Sequence, residues 1–354
     1  MNGPVAYGFS PRIAELFTRC RPSGVGVQPA RVVRADRNQV LLATANRHLR
    51  VGYPEEQLQC ATGDWVCLGL NGHMEPAVLA VLPRYSQLAR KRAFDKSTQA
   101  QVLAANMDLV GVVVPIDRPF SHNRLERTLV AAWNSGATPL VILTKADLAN
   151  GHDDVVGQVI EQAAGVEVIT TSAEQGDGLD ELMLRLGAGT TLVLLGPSGA
   201  GKSTLINALA CAQLQDTGSV RAADGRGKHT TTARELVPLP GGSVLMDTPG
   251  IRGLALWDAE AGMDAVFGDV EELFAECRFN DCGHGSEPGC AVQAAMEEGL
   301  LEPRRWHSYL KMQRELAHLH IRQNVAERRK DARSFAKSVK ADAEFRGKLH
   351  KSRR

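Results

Sequence analysis

The sequence predicts an α/β protein whose central domain holds a parallel sheet, with a small β-barrel unit before it and a metal-binding helical unit after it. Strand-length apolar runs alternate with helical stretches over residues 101–260, which is typical of parallel strands joined by right-handed crossovers. Short β-like runs separated by glycine, proline and Asn71-Gly72 fill residues 31–83. Three cysteines and a histidine cluster between residues 277 and 290.

The chain is long enough for several cores, because 354 residues exceed what one ordinary domain holds. The first β unit is predicted to be an OB-like barrel, a frequent nucleic-acid-binding platform, although a β unit used only for internal packing is the alternative. The predicted segments are an N-terminal extension over 1–30, the OB-like β-barrel over 31–83, a basic linker over 84–100, the α/β domain over 101–260, the metal-binding helical domain over 261–325 and a basic tail over 326–354.

Individual elements follow from the periodicity of apolar residues, while residues 1–30 give no clear period. The predicted barrel strands are 31–34, 39–43, 64–68 and 77–81. The predicted strands of the α/β domain are 107–114, 139–143, 166–169, 191–195 and 243–246. Its predicted helices are 123–134, 153–164, 179–186 and one containing 205–209, and further helices are expected after residue 303.

Bulk composition is that of a globular protein, with 44% hydrophobic and 23% charged residues. The sequence has no apolar, uncharged run of about 18 residues, and its first residues lack the basic-then-apolar layout of a signal peptide. We therefore expect a cytoplasmic protein without a membrane contact. Seven cysteines, three of them clustered, favour a metal site in a reducing compartment over a disulfide framework.

Basic residues are concentrated at the two ends of the chain. Residues 1–100 carry 13 Lys and Arg against 7 Asp and Glu, and residues 326–354 carry 11 against 4. The segment between them is acidic, with 17 against 29. Basic ends on an acidic centre indicate contacts with a polyanion such as RNA, although a solvated, charged tail is the alternative.

A glycine-rich stretch lies between the predicted strand 191–195 and the helical run that follows it. Its members match G-x-x-x-x-G-K-[ST] and are Gly196, Pro197, Ser198, Gly199, Ala200, Gly201, Lys202, Ser203 and Thr204. Glycine lets successive N–H groups turn toward phosphate oxygens, and the helix N-terminus adds partial positive charge. Lys202 can reach the β- and γ-phosphates as a candidate catalytic residue, and the Ser203 hydroxyl can ligate Mg²⁺. The pattern predicts a nucleotide site.

A D-x-x-G motif begins at Asp247, directly after the predicted strand 243–246 and 45 residues after Lys202. A carboxylate at this place can hold Mg²⁺ through water, and the N–H of Gly250 can meet the γ-phosphate. The motif is common by chance, and its position after a phosphate loop is what makes it specific.

The stretch Thr144-Lys145-Ala146-Asp147 resembles the guanine-specifying motif N-K-x-D. Asp147 would accept hydrogen bonds from N1–H and N2–H₂ of guanine, a donor pair that adenine lacks, and the stem of Lys145 would cover the ring. Thr144 replaces Asn and loses its amide, which leaves open whether contact with guanine N7 or with the phosphate loop is kept.

Ser172 and Ala173 follow the predicted strand 166–169 and resemble the companion S-A motif, whose backbone N–H meets guanine O6. Together with the Lys145 and Asp147 motif, this pair predicts that the nucleotide is GTP.

The late cluster has the spacing C-x4-C-x-H-x5-C, and its members are Cys277, Cys282, His284 and Cys290. Three thiolates and one imidazole suit tetrahedral Zn²⁺, and four protein ligands leave no position for a catalytic water. A chance grouping of unpaired residues is the alternative. We expect one structural zinc ion.

The nucleotide motifs occur in a rotated order. In ordinary GTPases the phosphate loop comes first and the guanine motif last, whereas here Lys145 and Ser172 precede Gly196, and Asp247 follows it. This layout resembles that of circularly permuted GTPases. With the late zinc-type cluster and the Gly63-Asp64-Trp65-Val66 signature, the chain resembles the RsgA/YjeQ family of GTPases that depend on the small ribosomal subunit, over residues 30–320.

The resemblance implies roles for two switch segments, over residues 225–232 and 247–252. Ordinary GTPases often orient the attacking water with a Gln after D-x-x-G, and Ile251 stands there in this chain. The resemblance therefore implies a catalytic role for His229, with a solvated or RNA-contacting histidine as the alternative. One of three consecutive threonines would bind Mg²⁺, and we predict the middle one, Thr231.

The resemblance also implies GTP hydrolysis stimulated by the small (30S) ribosomal subunit. Binding to 16S rRNA, late subunit maturation and release of small-subunit assembly factors are further expectations, and we expect a monomer. Three alternatives are an ATP-dependent enzyme or kinase, an RNA-binding module with a vestigial nucleotide site, and a permuted GTPase of the large subunit. Asp147 argues against the first, the intact Lys202 and Asp247 against the second, and the barrel with the zinc cluster against the third.

Overall fold

The N-terminal segment contains a helix that the sequence did not reveal. The computed structural model describes residues 4–23, 26–52, 60–91, 100–148, 153–163, 165–212, 234–247, 260–285, 287–317 and 321. A 3₁₀ turn, Pro4–Tyr7, precedes the helix α1, Pro11–Cys20, whose first residue is a proline, as suits a helix start. Ile13 and Phe17, four residues apart, are its only two buried side chains and pack near Trp65. Partly buried Leu16 joins them at helical spacing, so the expectation that residues 1–30 have no clear period is wrong for this helix.

The first sheet has five antiparallel strands in the order β3-β2-β1-β4-β5. The strands are β1, Gln28–Ala35, β2, Gln39–Ala43, β3, His48–Gly52, β4, Trp65–Leu70, and β5, Pro76–Val81. Their buried face holds small and branched side chains such as Val32, Leu42 and Val66. The sequence missed β3 because exposed His48 and Arg50 interrupt its apolar pattern. Hydrogen bonds join neighbouring strands in this order, and β3 and β5 are the edge strands within the described residues. The predicted antiparallel β unit is therefore present, and its OB-like barrel form is not confirmed.

A two-stranded antiparallel ladder lies in part within the predicted linker. The strands β6, Gln87–Lys91, and β7, Ala100–Ala105, pair with each other. The side chain of Leu88 is buried, which anchors β6 in spite of its polar neighbours. The basic composition of residues 84–100 therefore hid a strand within the predicted linker.

A buried arginine joins the N-terminal segment, the first sheet and the start of the α/β unit. The guanidinium of Arg31 is 1% exposed and donates to the backbone carbonyls of Tyr7, Gly63 and Asn106. Gly63 has φ +94°, and a Cβ there would lie 2.1 Å from the Ala105 carbonyl oxygen. Only glycine allows this approach of the two backbones.

The second sheet has six strands in the order β10-β9-β8-β11-β13-β12, with β12 as the one antiparallel member. The strands are β8, Leu109–Pro115, β9, Thr138–Thr144, β10, Val168–Thr170, β11, Thr191–Leu195, β12, Glu235–Pro238, and β13, Val244–Asp247. Its helices are α2, His122–Trp133, α3, Asp153–Gln162, α4, Leu179–Arg185, and α5, Lys202–Ala210. Val112 and Val114 of β8 pack with α2 and α3, and Val113 packs with α4 and α5, so helices cover both faces.

The C-terminal unit is helical and packs on α2. It comprises α6, Glu260–Ala275, α7, Ala291–Glu297, and α8, residues 303–317. Phe267 and Trp306 lie in its core. A Cβ at Gly262 would lie 2.3 Å from the Val130 carbonyl oxygen, so glycine is what lets α6 lie against α2. Within the described part of the chain, none of the helices is both long and apolar enough to cross a bilayer.

Candidate functional site

The predicted nucleotide motifs meet at one edge of the six-stranded sheet. Because β8, β9, β10, β11 and β13 run parallel, their carboxyl ends lie at the same edge. The loops that follow β9, β10 and β11 carry the guanine-type motif, Ser172 and the glycine-rich stretch. Open α/β sheets bind ligands in the crevice outside these ends.

The glycine-rich stretch forms a tight loop into the N-terminus of α5. Gly199 has φ +74° and Gly201 has φ +81°, which are left-handed conformations that favour glycine. A Cβ at Gly196 would lie 2.7 Å from the Val113 carbonyl oxygen. The ammonium of Lys202 donates to the carbonyls of Gly196 at 2.9 Å and Pro197 at 2.7 Å, so the lysine folds back over its own loop.

Thr144 ties the guanine-type motif to the glycine-rich loop. Its hydroxyl donates to the Ala200 carbonyl at 2.7 Å, and the residue is 3% exposed. Threonine has a hydroxyl that asparagine lacks. This hydroxyl makes the contact with the glycine-rich loop that the sequence left open.

Asp147 and Ser172 are linked directly. The Ser172 hydroxyl donates to Asp147 Oδ1 at 2.6 Å and accepts from the backbone N–H of Gln175 at 3.2 Å. The N–H of Ala146 donates to the Thr171 carbonyl at 3.2 Å. These bonds hold the two motifs that were predicted to contact guanine as one unit, and Ala173 follows within the same turn.

Two residues after β8 extend this arrangement and were missed by the sequence reasoning. Asp117 Oδ2 lies 2.6 Å from the ammonium of Lys145, and Arg118 Nη2 donates to the Gly199 carbonyl at 3.3 Å. The available signal was their place directly after a central strand, next to the strand that carries the glycine-rich loop.

A cavity of about 320 Å³ adjoins the loop on the side of α2. Leu125 and Thr128 of α2, Val114 of β8 and the loop residues Gly196 and Ser198 contribute to its walls. The first turns of α2 therefore lie beside the loop.

Glu126 of α2, which follows the cavity residue Leu125, connects this region to the C-terminal unit. Glu126 is fully buried and accepts hydrogen bonds from Ser308 Oγ at 2.6 Å, Arg304 Nη1 at 3.1 Å and Arg305 Nη1 at 3.4 Å. A buried carboxylate is tolerated when it is paired and hydrogen-bonded in this way. One helix thus contacts both the loop cavity and α8.

Several predicted residues lie outside the described part of the chain. They are His229, Thr231 and Gly250, together with the remainder of both switch segments apart from Asp247. Asp247 is the last residue of β13, beside the strand that leads into the glycine-rich loop.

The four predicted metal ligands come together in the C-terminal unit. The ligand atoms of Cys277, Cys282, His284 and Cys290 all lie within 4.8 Å of one another. His284 Nδ1 is 3.5 Å from the Cys277 sulfur and 3.7 Å from the Cys290 sulfur. Three thiols and one imidazole in this arrangement fit a tetrahedral metal ion bound through Nδ1 of the histidine.

His284 is held from all sides. Its backbone has φ +56°, and Glu287 accepts hydrogen bonds from Gly283 N–H at 3.1 Å and Gly285 N–H at 2.7 Å on either side of it. Backbone N–H donors, first that of Glu287 itself and then those of Gly285 and Gly283, lower the pKa of this carboxyl. The turn that presents the imidazole is therefore fixed by a carboxylate.

Aromatic side chains fix the imidazole ring itself. Phe274 stacks on His284 with ring centres 4.2 Å apart, and Trp306 meets it edge-on at 5.8 Å. Gln293 Nε2 donates to the His284 carbonyl at 2.8 Å. The sequence pattern predicted the four residues that come together and gave no indication of these supporting contacts.

Known proteins match the chain over most of its length. A family model described as "RsgA GTPase" matches residues 81–257. The "Small ribosomal subunit biogenesis GTPase RsgA" of Streptomyces coelicolor is 46% identical over 325 residues, 88% of this chain and 86% of that protein. The protein of the same name from Syntrophotalea carbinolica is 43% identical over 322 residues, 86% of this chain and 87% of its own.

Solved structures agree with these relatives. The crystal structure of YjeQ from Thermotoga maritima superimposes with a TM-score of 0.59 at 26% identity, covering 82% of this chain and 99% of that one. YloQ, a circularly permuted GTPase, shares the fold with a TM-score of 0.57 at 22% identity, covering 83% and 96%. From the matched family model, the relatives and the rotated motif order, we conclude that the chain belongs to the RsgA GTPase family, whose members are GTP hydrolases.

Proposed function

We propose that this chain hydrolyses GTP to GDP and phosphate in the service of small ribosomal subunit biogenesis. The observation that carries the nucleotide part is the 2.7 Å bond from Thr144 to the Ala200 carbonyl. It joins a guanine-type motif to a phosphate-type loop at the carboxyl edge of one sheet, which supports a single crevice that would bind both the base and the phosphates.

The phosphates would lie on the N-terminus of α5. Backbone N–H groups of the glycine-rich loop and the ammonium of Lys202 would stabilise the charge that develops on the transferring phosphoryl group. A water would attack the γ-phosphorus as its bond to the bridging oxygen breaks, and His229 would orient that water. The N–H of Gly250 would meet the γ-phosphate.

Magnesium bound with GTP would supply positive charge that neutralises the phosphate oxygens. The hydroxyls of Ser203 and Thr231 would ligate it, and Asp247 would hold it through water. The residues fit this cation because they offer oxygen donors only. The base would be read by Asp147, with Lys145 over the ring and the N–H groups at Ser172 and Ala173 facing guanine O6.

The cluster of three cysteines and His284 would hold one structural zinc ion. Four protein ligands would fill the tetrahedral positions of such an ion and leave none for substrate, so the ion would stabilise the C-terminal unit instead of taking part in hydrolysis.

The proposed partner is the small (30S) ribosomal subunit, through 16S rRNA and with assembly factors, for a monomer in the cytoplasm. The two relatives named small ribosomal subunit biogenesis GTPases support the subunit as partner. An OB-like form of the first sheet and the tail over residues 326–354 would supply the RNA contacts. Exposed Arg47, in the turn between β2 and β3, and exposed Arg50, on β3, support that surface.

The test is GTP and ATP hydrolysis with and without purified small subunits, at low and high salt. We expect the subunits to stimulate GTP hydrolysis alone and the stimulation to fall at high salt, because phosphate contacts are salt-dependent. Equal hydrolysis of ATP would overturn the guanine assignment. Flat GTP hydrolysis with subunits present would overturn the partner.

A further inference from the structure

An ion pair without an assigned role joins the guanine-type motif to the turn after β8. Asp117 Oδ2 is 2.6 Å from Lys145 Nζ, and the two side chains are 20% and 24% exposed. Screening by water is weaker in such a partly buried place than at the surface. The pair therefore restrains a lysine side chain that has several rotatable bonds of its own.

Apart from Lys145, the carboxylate of Asp117 has one charged neighbour among the described residues, Arg118. Its Oδ1 atom is buried and has no hydrogen-bond partner among the described residues, and Arg118 Nε lies 3.7 Å away. Burying an acceptor oxygen that receives no hydrogen bond costs free energy, which disfavours this position of the side chain. The contact with Lys145 offsets that cost and determines where the Asp117 side chain lies.

The same turn reaches both halves of the crevice. The N–H of Ile116 donates to the Thr144 carbonyl at 3.0 Å, directly before Lys145. Arg118 Nη2 donates to the Gly199 carbonyl at 3.3 Å in the glycine-rich loop. Three consecutive residues thus contact the motif proposed for the base and the loop proposed for the phosphates.

We propose that Asp117 is a positioning residue for guanine nucleotides, which acts by holding the ammonium of Lys145 so that the lysine stem lies over the base. This inference rests on the proposed nucleotide site. Asp117 does not touch the base and does not read it. Its loss should weaken every purine nucleotide that Lys145 covers, and it should leave the discrimination made by Asp147 intact.

The first part of the test measures binding of fluorescent N-methylanthraniloyl GDP, GTP and IDP to the full chain with Mg²⁺. For Asp117→Asn we expect affinity for all three to fall about five- to tenfold, because an unrestrained side chain must be ordered on binding. The ratio of GDP to IDP affinity should stay at the parent value. Asp117→Glu, which keeps the charge, should recover part of the loss.

The matched control is Glu167→Gln, which removes a carboxylate paired with Arg185 at 2.5 Å on the surface, away from this turn. It should bind all three nucleotides as the parent does. A changed GDP-to-IDP ratio in Asp117→Asn would show a general distortion of the site and overturn the positioning role.

The second part is a double-mutant cycle with Lys145→Ala. If Asp117 acts through Lys145, Asp117→Asn should cause no further loss in the Lys145→Ala background. Additive losses would overturn the proposal. If the parent protein binds none of the nucleotides, the proposed nucleotide site is overturned. If the parent binds them tightly and Asp117→Asn binds them with the same affinity, this inference alone is overturned.

Discussion

The nucleotide crevice and the cysteine–histidine cluster are built in opposite ways. The crevice combines loops spread between residues 117 and 202, which the parallel sheet brings to one edge. The cluster takes four side chains from fourteen consecutive residues, 277–290. Long-range topology creates the first site, and a short stretch of chain creates the second.

The difference lies in what fixes the functional groups. In the crevice, side chains such as Thr144 and Lys202 donate to backbone carbonyls of a loop that glycines and a helix already define. In the cluster, each ligand depends on the other three, and His284 sits on a left-handed backbone held by Glu287. We therefore expect graded effects from substitutions in the crevice and an all-or-none response in the cluster.

The largest effect should follow Cys290→Ser. Loss of one thiolate should abolish tight zinc binding, since structural zinc contributes about 10 kcal/mol or more to small zinc units. Zinc content after dialysis and thermal unfolding of the full chain would measure it, with the exposed Cys20→Ser as the control. GDP binding should persist, and its loss would contradict the separation of the two sites.

A medium effect is expected for Thr144→Val. The change keeps the shape and leaves the Ala200 carbonyl without its donor, which costs about 1–2 kcal/mol and should weaken GDP binding about tenfold. Thr144→Asn, which restores the usual motif, should bind GDP within about twofold of the parent if its amide replaces the hydroxyl contact.

The control for this change is Thr18→Val, which removes a hydroxyl bond to the Ala14 carbonyl at 2.9 Å on exposed α1. It should leave GDP binding unchanged. Equal GDP affinities of Thr144→Val and the parent would mean that the sheet alone determines the shape of the crevice. The Thr144 hydrogen bond would then contribute nothing to GDP binding.

The smallest effect should come from Glu287→Gln. The amide oxygen can still accept one backbone N–H, so the turn around His284 should loosen without being lost, and zinc affinity should fall by at most about tenfold. Competition with a chromophoric chelator would measure it, against the exposed Glu276→Gln as the control. Complete loss of zinc would place Glu287 on a par with the ligands themselves.

Sequence reasoning succeeded where a signal is local. The apolar runs of β8, β9 and β11 predicted the parallel sheet, and the spacing of cysteines and histidine predicted which four side chains meet. It failed for α1, whose packed apolar residues Ile13, Leu16 and Phe17 fall within less than two helical turns. It also failed for β3, a short strand in which polar and apolar residues alternate.

The contacts of Asp117 and Glu126 could not be predicted for another reason. Each depends on residues that are distant in sequence, Lys145 in one case and Ser308 in the other. A single aspartate after a strand looks like a turn residue, and a glutamate in a helix looks like a solvated one. Only the register of the sheet and the packing of α8 reveal their partners.

The strand order of the six-stranded sheet has a consequence for synthesis. The strands β8, β9 and β10 form one contiguous half, and β11, β12 and β13 form the other and come later in the chain. Because translation proceeds from the N-terminus, the half with Lys145 and Asp147 emerges first and keeps an open edge at β8. The growing chain therefore contains the segments proposed to bind the base before it contains the glycine-rich loop proposed to bind the phosphates.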